Sequence, residues 1–295
     1  MNTLRQGISV IFLLIILLGC SQEQAPEWIP FTWEGDTIAG NYIEKAYIYV
    51  PVKIEDLPEE FTMQLDLGTH QTLFYGNTIQ PYLDEYASLS EKYNAPWFKD
   101  ITLQLGSVDF KGVDIGYMNN FGDTSKHIGT IAPDMFQDKI LMIDYKSARF
   151  AVADSLPDEY KDLPAEKFEL EDGLIMLPFR INGKACKLLF DTGSSPFRLA
   201  TSKERALEIA APQITDSLSG PLWWGNEITF YGMEINKPVE FAGKTLTAGK
   251  VYYDNVGLWE EQVFHPLNIW GLTGNAYFFD NTVIIDYRNK LFRVK

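Results

Sequence analysis

The sequence of 295 residues contains only two cysteines, Cys20 and Cys186, and three histidines. Cys20 lies where the N-terminal apolar stretch ends and so is not expected to belong to the folded domain. Cys186 then has no cysteine to pair with, and no internal disulfide is expected. Cys186 is interpreted as a small core residue on a strand rather than as a catalytic thiol. The sequence has neither a paired-cysteine motif nor a His-Glu-x-x-His motif, and we predict no metal and no cofactor.

Positive charge is also scarce. The chain carries 25 Lys and Arg residues against 40 Asp and Glu residues, which gives a net charge of −15. Because the Lys and Arg residues form no basic cluster, nucleic acid binding is disfavoured. The sequence also lacks a phosphate-cradling glycine loop and a Gly-x-Ser-x-Gly motif, so it gives no support to nucleotide or serine-hydrolase chemistry.

An unbroken apolar run occurs at residues 10–18 and is too short to span a bilayer as a stable helix. With Arg5 before it and Leu-Leu-Gly-Cys closing it, this run predicts a signal peptide over residues 1–19. The closing tetrapeptide resembles the bacterial lipoprotein processing box, which implies that Cys20 carries lipids. Residues 20–40 would then form a tether and the start of the domain. The alternative is an ordinary signal peptide with a chance cysteine.

A duplicated unit is the clearest internal pattern. Residues 129–152 align without a gap with residues 271–294, and eight of the 24 positions are identical. Unrelated segments of this length would share roughly one or two residues. Each segment begins with a glycine, Gly129 or Gly271, and ends in a predicted β-hairpin. The recurrence indicates that the chain consists of two related halves.

Many short strand patterns separated by turn signals predict an all-β architecture. We expect an N-terminal lobe at residues 41–155 and a C-terminal lobe at residues 175–295. The segment between them, residues 156–174, is acidic and contains prolines, which suits a linker. Few helices are expected: one within residues 80–93, and one at residues 205–211 behind the capping-box pattern Thr-Ser-Lys-Glu.

Each half contains an aspartate, a glycine two positions later, and a predicted strand immediately before them. These segments are Asp66-Leu67-Gly68-Thr69 and Asp191-Thr192-Gly193-Ser194. A glycine at this position lets the backbone turn tightly and approach a carboxylate. Asp-x-Gly is common in ordinary turns, so either motif alone is a weak signal. Their recurrence in a duplicated chain favours a carboxylate pair.

A carboxylate pair of this kind has a defined chemistry. Two carboxylates about 3 Å apart cannot both ionise, so they share one proton. The ionised member acts as the general base for a water molecule, and the protonated member polarises the substrate carbonyl. No covalent intermediate is required. Because the two groups titrate as a unit, no separate pKa is assigned to Asp66 or to Asp191.

The two motifs and the duplicated unit resemble the pepsin and retropepsin superfamily of aspartic proteases over nearly all of the chain after the signal peptide. The resemblance implies a bilobal pepsin-like acid protease fold with two related β-barrel lobes. It also implies that Asp66 and Asp191 face each other across the cleft between them as the catalytic pair. The implied activity is endopeptidase hydrolysis of peptide bonds.

The resemblance also implies roles for the neighbouring residues. Thr69 and Ser194 would give hydroxyl hydrogen bonds to the outer carboxylate oxygens, and Thr192 would bond across to the opposite loop. Gly129 and Gly271 would belong to the apolar-apolar-glycine elements that this family threads beneath its catalytic loops. The second of these elements is Ile269-Trp270-Gly271, whereas His127-Ile128-Gly129 matches the pattern imperfectly.

The sequence departs from the family pattern at Leu67, where the family has Thr or Ser. Leucine has no hydroxyl, so the reciprocal bridge between the loops can be only half made, and a buried Thr192 hydroxyl would need another partner. Three functions therefore stay open. The first is an aspartic endopeptidase, and the second is a catalytically weak or inactive lipoprotein of the same fold that binds peptides or another envelope ligand. The third is an envelope structural or assembly factor, whose cleft would be closed or filled.

We expect the protein to be a monomer that acts on a peptide or protein, lipid-anchored in a bacterial cell envelope at the outer membrane. Asp144 and Asp286 precede the hairpin turns and are interpreted as turn residues rather than catalytic groups. Trp223 and Trp224 have two interpretations, at a substrate cleft or flap, or in the core. His70 is interpreted as a polar residue at the rim of the site.

Overall fold

A computed structural model of the chain describes residues 26–38, 41–55, 57–123, 125–223 and 226–295. The predicted signal peptide, Cys20 and Trp224 lie outside these residues. Strands in three sheets dominate the described chain, which confirms the all-β prediction. No helix in this part of the chain is long and apolar enough to cross a membrane.

The first half alternates strands with two short helices and ends in a hairpin. Its elements are β1 (Ile29–Pro30), β2 (Thr32–Ile38), β3 (Asn41–Ile54), β4 (Glu60–Leu65), β5 (Leu73–Tyr75), α1 (Gly76–Glu85), α2 (Ala87–Ser90), β6 (Tyr93–Asn94), β7 (Trp97–Leu105), β8 (Val108–Met118), β9 (His127–Ile131), a 3₁₀ turn (Pro133–Phe136), β10 (Ile140–Asp144) and β11 (Arg149–Ala153).

The second half repeats this order with longer strands in its middle. Its elements are α3 (Asp158–Lys161), β12 (Ala165–Lys167), β13 (Glu169–Glu171), β14 (Leu174–Ile181), β15 (Lys184–Phe190), β16 (Leu199–Thr201), α4 (Lys203–Ile209), β17 (Ala210–Trp223), β18 (Asn226–Ile235), β19 (Val239–Phe241), β20 (Lys244–Leu246), β21 (Lys250–Asp254), a π-helical turn (Glu260–Phe264), β22 (Gly271–Thr273), a 3₁₀ turn (Asn275–Tyr277), β23 (Thr282–Asp286) and β24 (Leu291–Val294).

Each half has its own sheet, and a third sheet joins them. The first half forms the eight-stranded sheet β2-β3-β4-β9-β5-β8-β7-β6, in which an extra β3–β7 pairing closes six of the strands into a ring. The second half forms a ten-stranded sheet along the path β17-β18-β21-β16-β22-β15-β14-β19-β20, with β13 paired to β14. The third sheet has the order β1-β11-β10-β23-β24-β12.

The two halves meet through equivalent strands of the duplicated unit. Strands β10 and β23 pair antiparallel with Met142 opposite Ile284, and these two residues also occupy the same position in the sequence repeat. The joining sheet is therefore symmetric about this residue pair. One of its faces supplies Leu141, Ile143 and Ile285 to the main hydrophobic core, so burial of apolar area holds the halves together.

Both halves insert a strand between the two strands that flank the Asp-x-Gly loop. Strand β9 runs parallel to β4 and antiparallel to β5, and β22 runs parallel to β15 and antiparallel to β16. A side chain at Gly129 would overlap the carbonyl oxygen of Leu73, and one at Gly271 would overlap that of Ala200. Glycine is needed at both places because the neighbouring backbone passes too close for any Cβ atom.

Several local predictions need correction. The predicted helix within residues 80–93 is in fact two helices, and α1 begins four residues earlier at Gly76. The N-cap of α4 is Ser202, whose hydroxyl accepts a hydrogen bond from the Arg205 amide at 3.4 Å, so the helix begins before residue 205 and the capping-box pairing does not form.

The predicted linker is an integral part of the sheets. Strand β12 pairs with β24, and β13 pairs with β14. Two aromatic residues explain this, because Tyr160 and Phe168 are buried in the hydrophobic clusters despite the acidic residues around them. The linker prediction relied on the acidic composition of the segment and did not take these two buried aromatic side chains into account.

We expect Gly271→Ala to lower the free energy of unfolding by about 3 kcal/mol, because the new methyl group must push β16 and β22 apart. Gly183→Ala is the control, since nothing lies within 4 Å of its Cβ position and its φ of +77° should cost only about 1 kcal/mol. Urea denaturation measures both values. Equal losses in the two variants would contradict the close approach at Gly271.

Candidate active site

Asp66 and Asp191 occupy equivalent positions at the ends of equivalent strands. Asp66 follows β4, and its amide donates to the Ile131 carbonyl of β9 at 3.0 Å; Asp191 follows β15, and its amide donates to the Thr273 carbonyl of β22 at 3.0 Å. The inserted strand of each half thus fixes the point at which the backbone leaves the sheet. Both carboxyl groups are half-buried at the floor of one cavity.

The two loops interlock through their glycines. A Cβ atom at Gly193 would lie 2.6 Å from Cγ of Asp66, and one at Gly68 would overlap Cγ of Asp191. Each glycine therefore lies directly against the carboxyl group of the opposite half. The Asp66 and Asp191 carboxyl groups lie close enough for each to shift the pKa of the other, and two carboxyl groups in such proximity favour sharing one proton.

Thr192 links the two loops from below. Its hydroxyl donates to the Leu65 carbonyl at 2.7 Å and accepts from the Leu67 amide at 2.8 Å. The expectation that this hydroxyl would need another partner is therefore wrong, because both of its partners are backbone groups, the Leu65 carbonyl and the Leu67 amide, and neither depends on a hydroxyl at position 67. Leu67 makes no reciprocal bridge, and its side chain is buried in the main core.

A buried hydrogen-bond chain supports the loop of the second half. The Asn275 side-chain amide donates to the Thr192 carbonyl at 2.8 Å, and the Tyr145 hydroxyl donates to Oδ1 of Asn275 at 2.8 Å. Tyr145 directly follows β10 in the closing hairpin of the first half. The Asp191 loop is consequently fixed by residues from both halves.

The hydrogen bonds to the two carboxyl groups are unequal. Asp191 accepts from the amides of Gly193 at 2.8 Å and Ser194 at 3.1 Å, and from the Ser194 hydroxyl at 2.7 Å. Asp66 accepts from the Gly68 amide at 3.0 Å. Within the described chain the Thr69 hydroxyl gives no hydrogen bond to Asp66, unlike Ser194 at the equivalent position.

This inequality determines where the shared proton resides. Burial and the charge of Asp191 raise the pKa of Asp66 well above its usual range. Burial also raises the pKa of Asp191, but the hydrogen bonds from Ser194 oppose the rise. Since donors to a carboxylate favour its ionised form, Asp191 is the ionised member of the pair and Asp66 carries the proton.

A cavity of about 480 Å³ lies above the pair. Residues of the first half form one wall, mainly Tyr47, Tyr49, Tyr75, Phe121, Asp123 and His127, and residues of the second half form the other, mainly Leu189, Trp259, Val263 and Leu272. The Tyr75 hydroxyl is hydrogen-bonded to Thr130, and burial raises the pKa of Tyr75 to about 12. Tyr75 is therefore a neutral aromatic side chain of this wall.

The remaining predicted residues lie away from the pair. His70 is exposed, and its ring contacts the Asp172 carbonyl at 3.1 Å. Burial raises the pKa of the half-buried Cys186 thiol. Asp144 accepts from Ser147 and Arg149, and Asp286 accepts from Asn289, all within their own hairpins.

Sequence reasoning missed the aromatic wall of the cavity. Tyr47 and Tyr49 lie on β3, where half-buried and buried residues alternate from Tyr47 to Val50. That alternation is visible in the sequence and marks a two-sided strand. It did not reveal which side faces the cavity. Trp259 was also missed, since it lies at the start of the π-helical turn, whose position depends on tertiary contacts.

The described residues contain no group of three or more His, Cys, Asp or Glu side chains that could hold a metal ion. A comparison of the sequence with known protein families finds no match. A search of curated proteins finds no similar sequence.

We predict that Thr192→Val will lower the free energy of unfolding by about 2 kcal/mol, because it leaves the buried amide of Leu67 and the carbonyl of Leu65 without their partner. Thr245→Val on exposed strand β20 is the control and should change the value little. Chemical denaturation of both variants measures the difference. A loss no greater than that of the control would show that Thr192 does not link the loops.

The raised pKa of Asp66 predicts a stability that depends on pH. The folded state holds this proton more tightly than the unfolded state, so the stabilisation is complete below about pH 4 and is lost as pH rises through the folded pKa. Asp66→Asn removes the titration, and its melting temperature relative to the parent should rise from pH 4 to pH 7. Asp84→Asn, which changes an exposed carboxyl on α1, should show no such trend.

Proposed function

We propose that the protein is an aspartic-type endopeptidase with a pepsin-like bilobal fold, in which Asp66 and Asp191 activate water. The observation that carries the proposal is the pair of carboxyl groups, one from each half, that each lie against the glycine of the opposite loop and line one open cavity. The duplicated strand insertion beneath both loops supports the fold assignment. Among the described residues, neither Asp66 nor Asp191 forms an ion pair with Lys or Arg.

The mechanism follows from the protonation of the pair. The Asp191 carboxylate accepts a proton from a water molecule held between the two groups, while the Asp66 carboxyl donates its proton to the substrate carbonyl oxygen. The oxygen of the water forms a bond to the carbonyl carbon, which gives a neutral tetrahedral diol. Asp191 then returns the proton to the amide nitrogen as the C–N bond breaks, and a diol hydroxyl restores the proton of Asp66.

The activity is proposed to operate in a bacterial cell envelope. Lipids on Cys20 would tether the folded domain, which begins at β1 in the sheet that joins the halves. A peptide or protein is the proposed substrate, and the chain is proposed to act as a monomer. The net charge of −15 disfavours binding of nucleic acid.

A non-catalytic peptide-binding protein of the same fold is the second candidate. Leu67 favours it, because the bridge between the loops is made from one side only. The absence of a hydroxyl bond from Thr69 to Asp66 in the described chain also favours it. A structural factor with a filled cleft is disfavoured, since the cavity above the pair holds about 480 Å³ of open space.

Digestion of an unstructured protein by the lipid-free domain, followed by mass spectrometry of the products, tests the proposal. Asp66→Asn and Asp191→Asn should each lower kcat/KM at least about 100-fold, because each removes one half of the proton relay. Asp109→Asn on β8, outside the cavity lining, is the matched control and should retain activity. The rate should be bell-shaped in pH, since only the singly protonated pair is active.

Hydrolysis that survives both substitutions would exclude the carboxyl pair as the catalyst. Absence of hydrolysis in the parent, combined with peptide binding measured by fluorescence anisotropy, would instead support the non-catalytic candidate.

A further inference from the structure

The walls of the cavity come from equivalent loops that have diverged. Strand β8 runs parallel to β5, and β21 runs parallel to β16, so the loops that follow β8 and β21 leave equivalent positions in the two halves. The first loop brings Phe121 and Asp123 to the cavity, and the second brings Trp259 and Val263. The same structural position thus presents a carboxylate on one side and apolar side chains on the other.

The wall from the second half is rigid and apolar. The buried Asp254 carboxylate accepts hydrogen bonds from the amides of Val256 at 3.0 Å, Leu258 at 2.9 Å and Trp259 at 2.9 Å. These bonds fix the turn that places Trp259 against Phe197 and Phe230. With the turn fixed, the described residues that line this end of the cavity include no charged side chain other than Asp191.

The wall from the first half is negative and aromatic. One oxygen of the exposed Asp123 carboxylate accepts from the Ser125 amide at 2.7 Å, and among the described residues Asp123 pairs with no Lys or Arg. Hydrogen bonds from Ser125 lower the pKa of Asp123, so it is charged at neutral pH. The aromatic rings of Tyr49, Tyr75 and Phe121 line the cavity beside it.

The other charged groups near this wall are one histidine and further carboxylates. His127 helps to lower the pKa of Asp123, and its ring also stacks on Tyr49 with centroids 3.9 Å apart and contacts Glu34 at 3.2 Å. Asp36 accepts from the Tyr47 hydroxyl at 3.1 Å. A carboxylate beside aromatic faces, in a region with further acidic groups, is suited to a positively charged side chain.

We propose that the substrates are peptides with a Lys or Arg side chain on one side of the scissile bond, held by Asp123 and the aromatic wall, and an apolar side chain on the other side, held by Trp259 and Val263. The proposal rests on the proposed peptidase function. It makes Asp123 a specificity-determining residue and leaves the chemistry to Asp66 and Asp191.

Two sets of quenched fluorescent peptides test this preference. Members of each set are identical except for Lys, Gln or Glu at one position, which lies before the scissile bond in one set and after it in the other. In one set only, we expect kcat/KM for Lys to exceed that for Glu roughly three- to tenfold, the range of a partly exposed charge interaction. Asp123→Asn should bring the Lys/Glu ratio near one, and Asp123→Lys should invert it.

Asp109→Asn is the control. Like Asp123→Asn it removes one negative charge from the first half, but outside the cavity, so the Lys/Glu ratio of kcat/KM should keep its parent value. A parent ratio near one in both sets, with normal cleavage, overturns the preference while the peptidase function survives. If the parent cleaves no peptide, the peptidase function fails. Fluorescence anisotropy with the same peptides then tests the preference for a basic side chain, which requires a lower Kd for the Lys peptide than for the Glu peptide. A ratio that Asp123→Lys leaves unchanged assigns the preference to another group.

Discussion

The close contact between each glycine and the opposite carboxyl group is the constraint on which the site depends. Gly193 lies against Asp66 and Gly68 against Asp191, so a side chain at either glycine would clash with the carboxyl group of the opposite half. Burial of two acids in contact is costly, since desolvation disfavours their charged forms. The shared core and the joining sheet supply the apolar burial that offsets this cost, and the pair is therefore a property of the whole chain.

The duplicated architecture brings two similar acids together, and small differences between the loops give them different roles. Ser194 donates to Asp191 through both its amide and its hydroxyl, whereas Thr69 leaves Asp66 without the hydroxyl bond in the described chain. The donors favour the ionised form of Asp191, so the proton resides on Asp66. Leu67 does not disturb this arrangement, because Thr192 bridges the loops through backbone groups alone.

The sequence was sufficient to predict features that recur in it. Short strand patterns predicted the all-β chain, and the repeat of residues 129–152 predicted the equivalent hairpins. The two Asp-x-Gly segments identified residues that the fold brings close together. The sequence did not predict the sheets that incorporate residues 156–174, because Tyr160 and Phe168 anchor that segment through distant contacts. The sequence also did not place Tyr49 or Trp259 at the cavity. Which face of a segment points towards a cavity depends on the tertiary packing of its opposite face.

Divergence between the halves is also what the proposed peptidase function requires. A peptide has different chemical groups before and after any bond, so a site with identical halves would bind it in two opposite orientations with similar energy. In the proposed mechanism, only one orientation places the carbonyl oxygen beside the proton of Asp66 and the amide nitrogen beside Asp191. The loops that end in Asp123 and Trp259 differ in charge and polarity, so they favour one orientation over the other. The asymmetry of the walls thus matches the asymmetry of the acids.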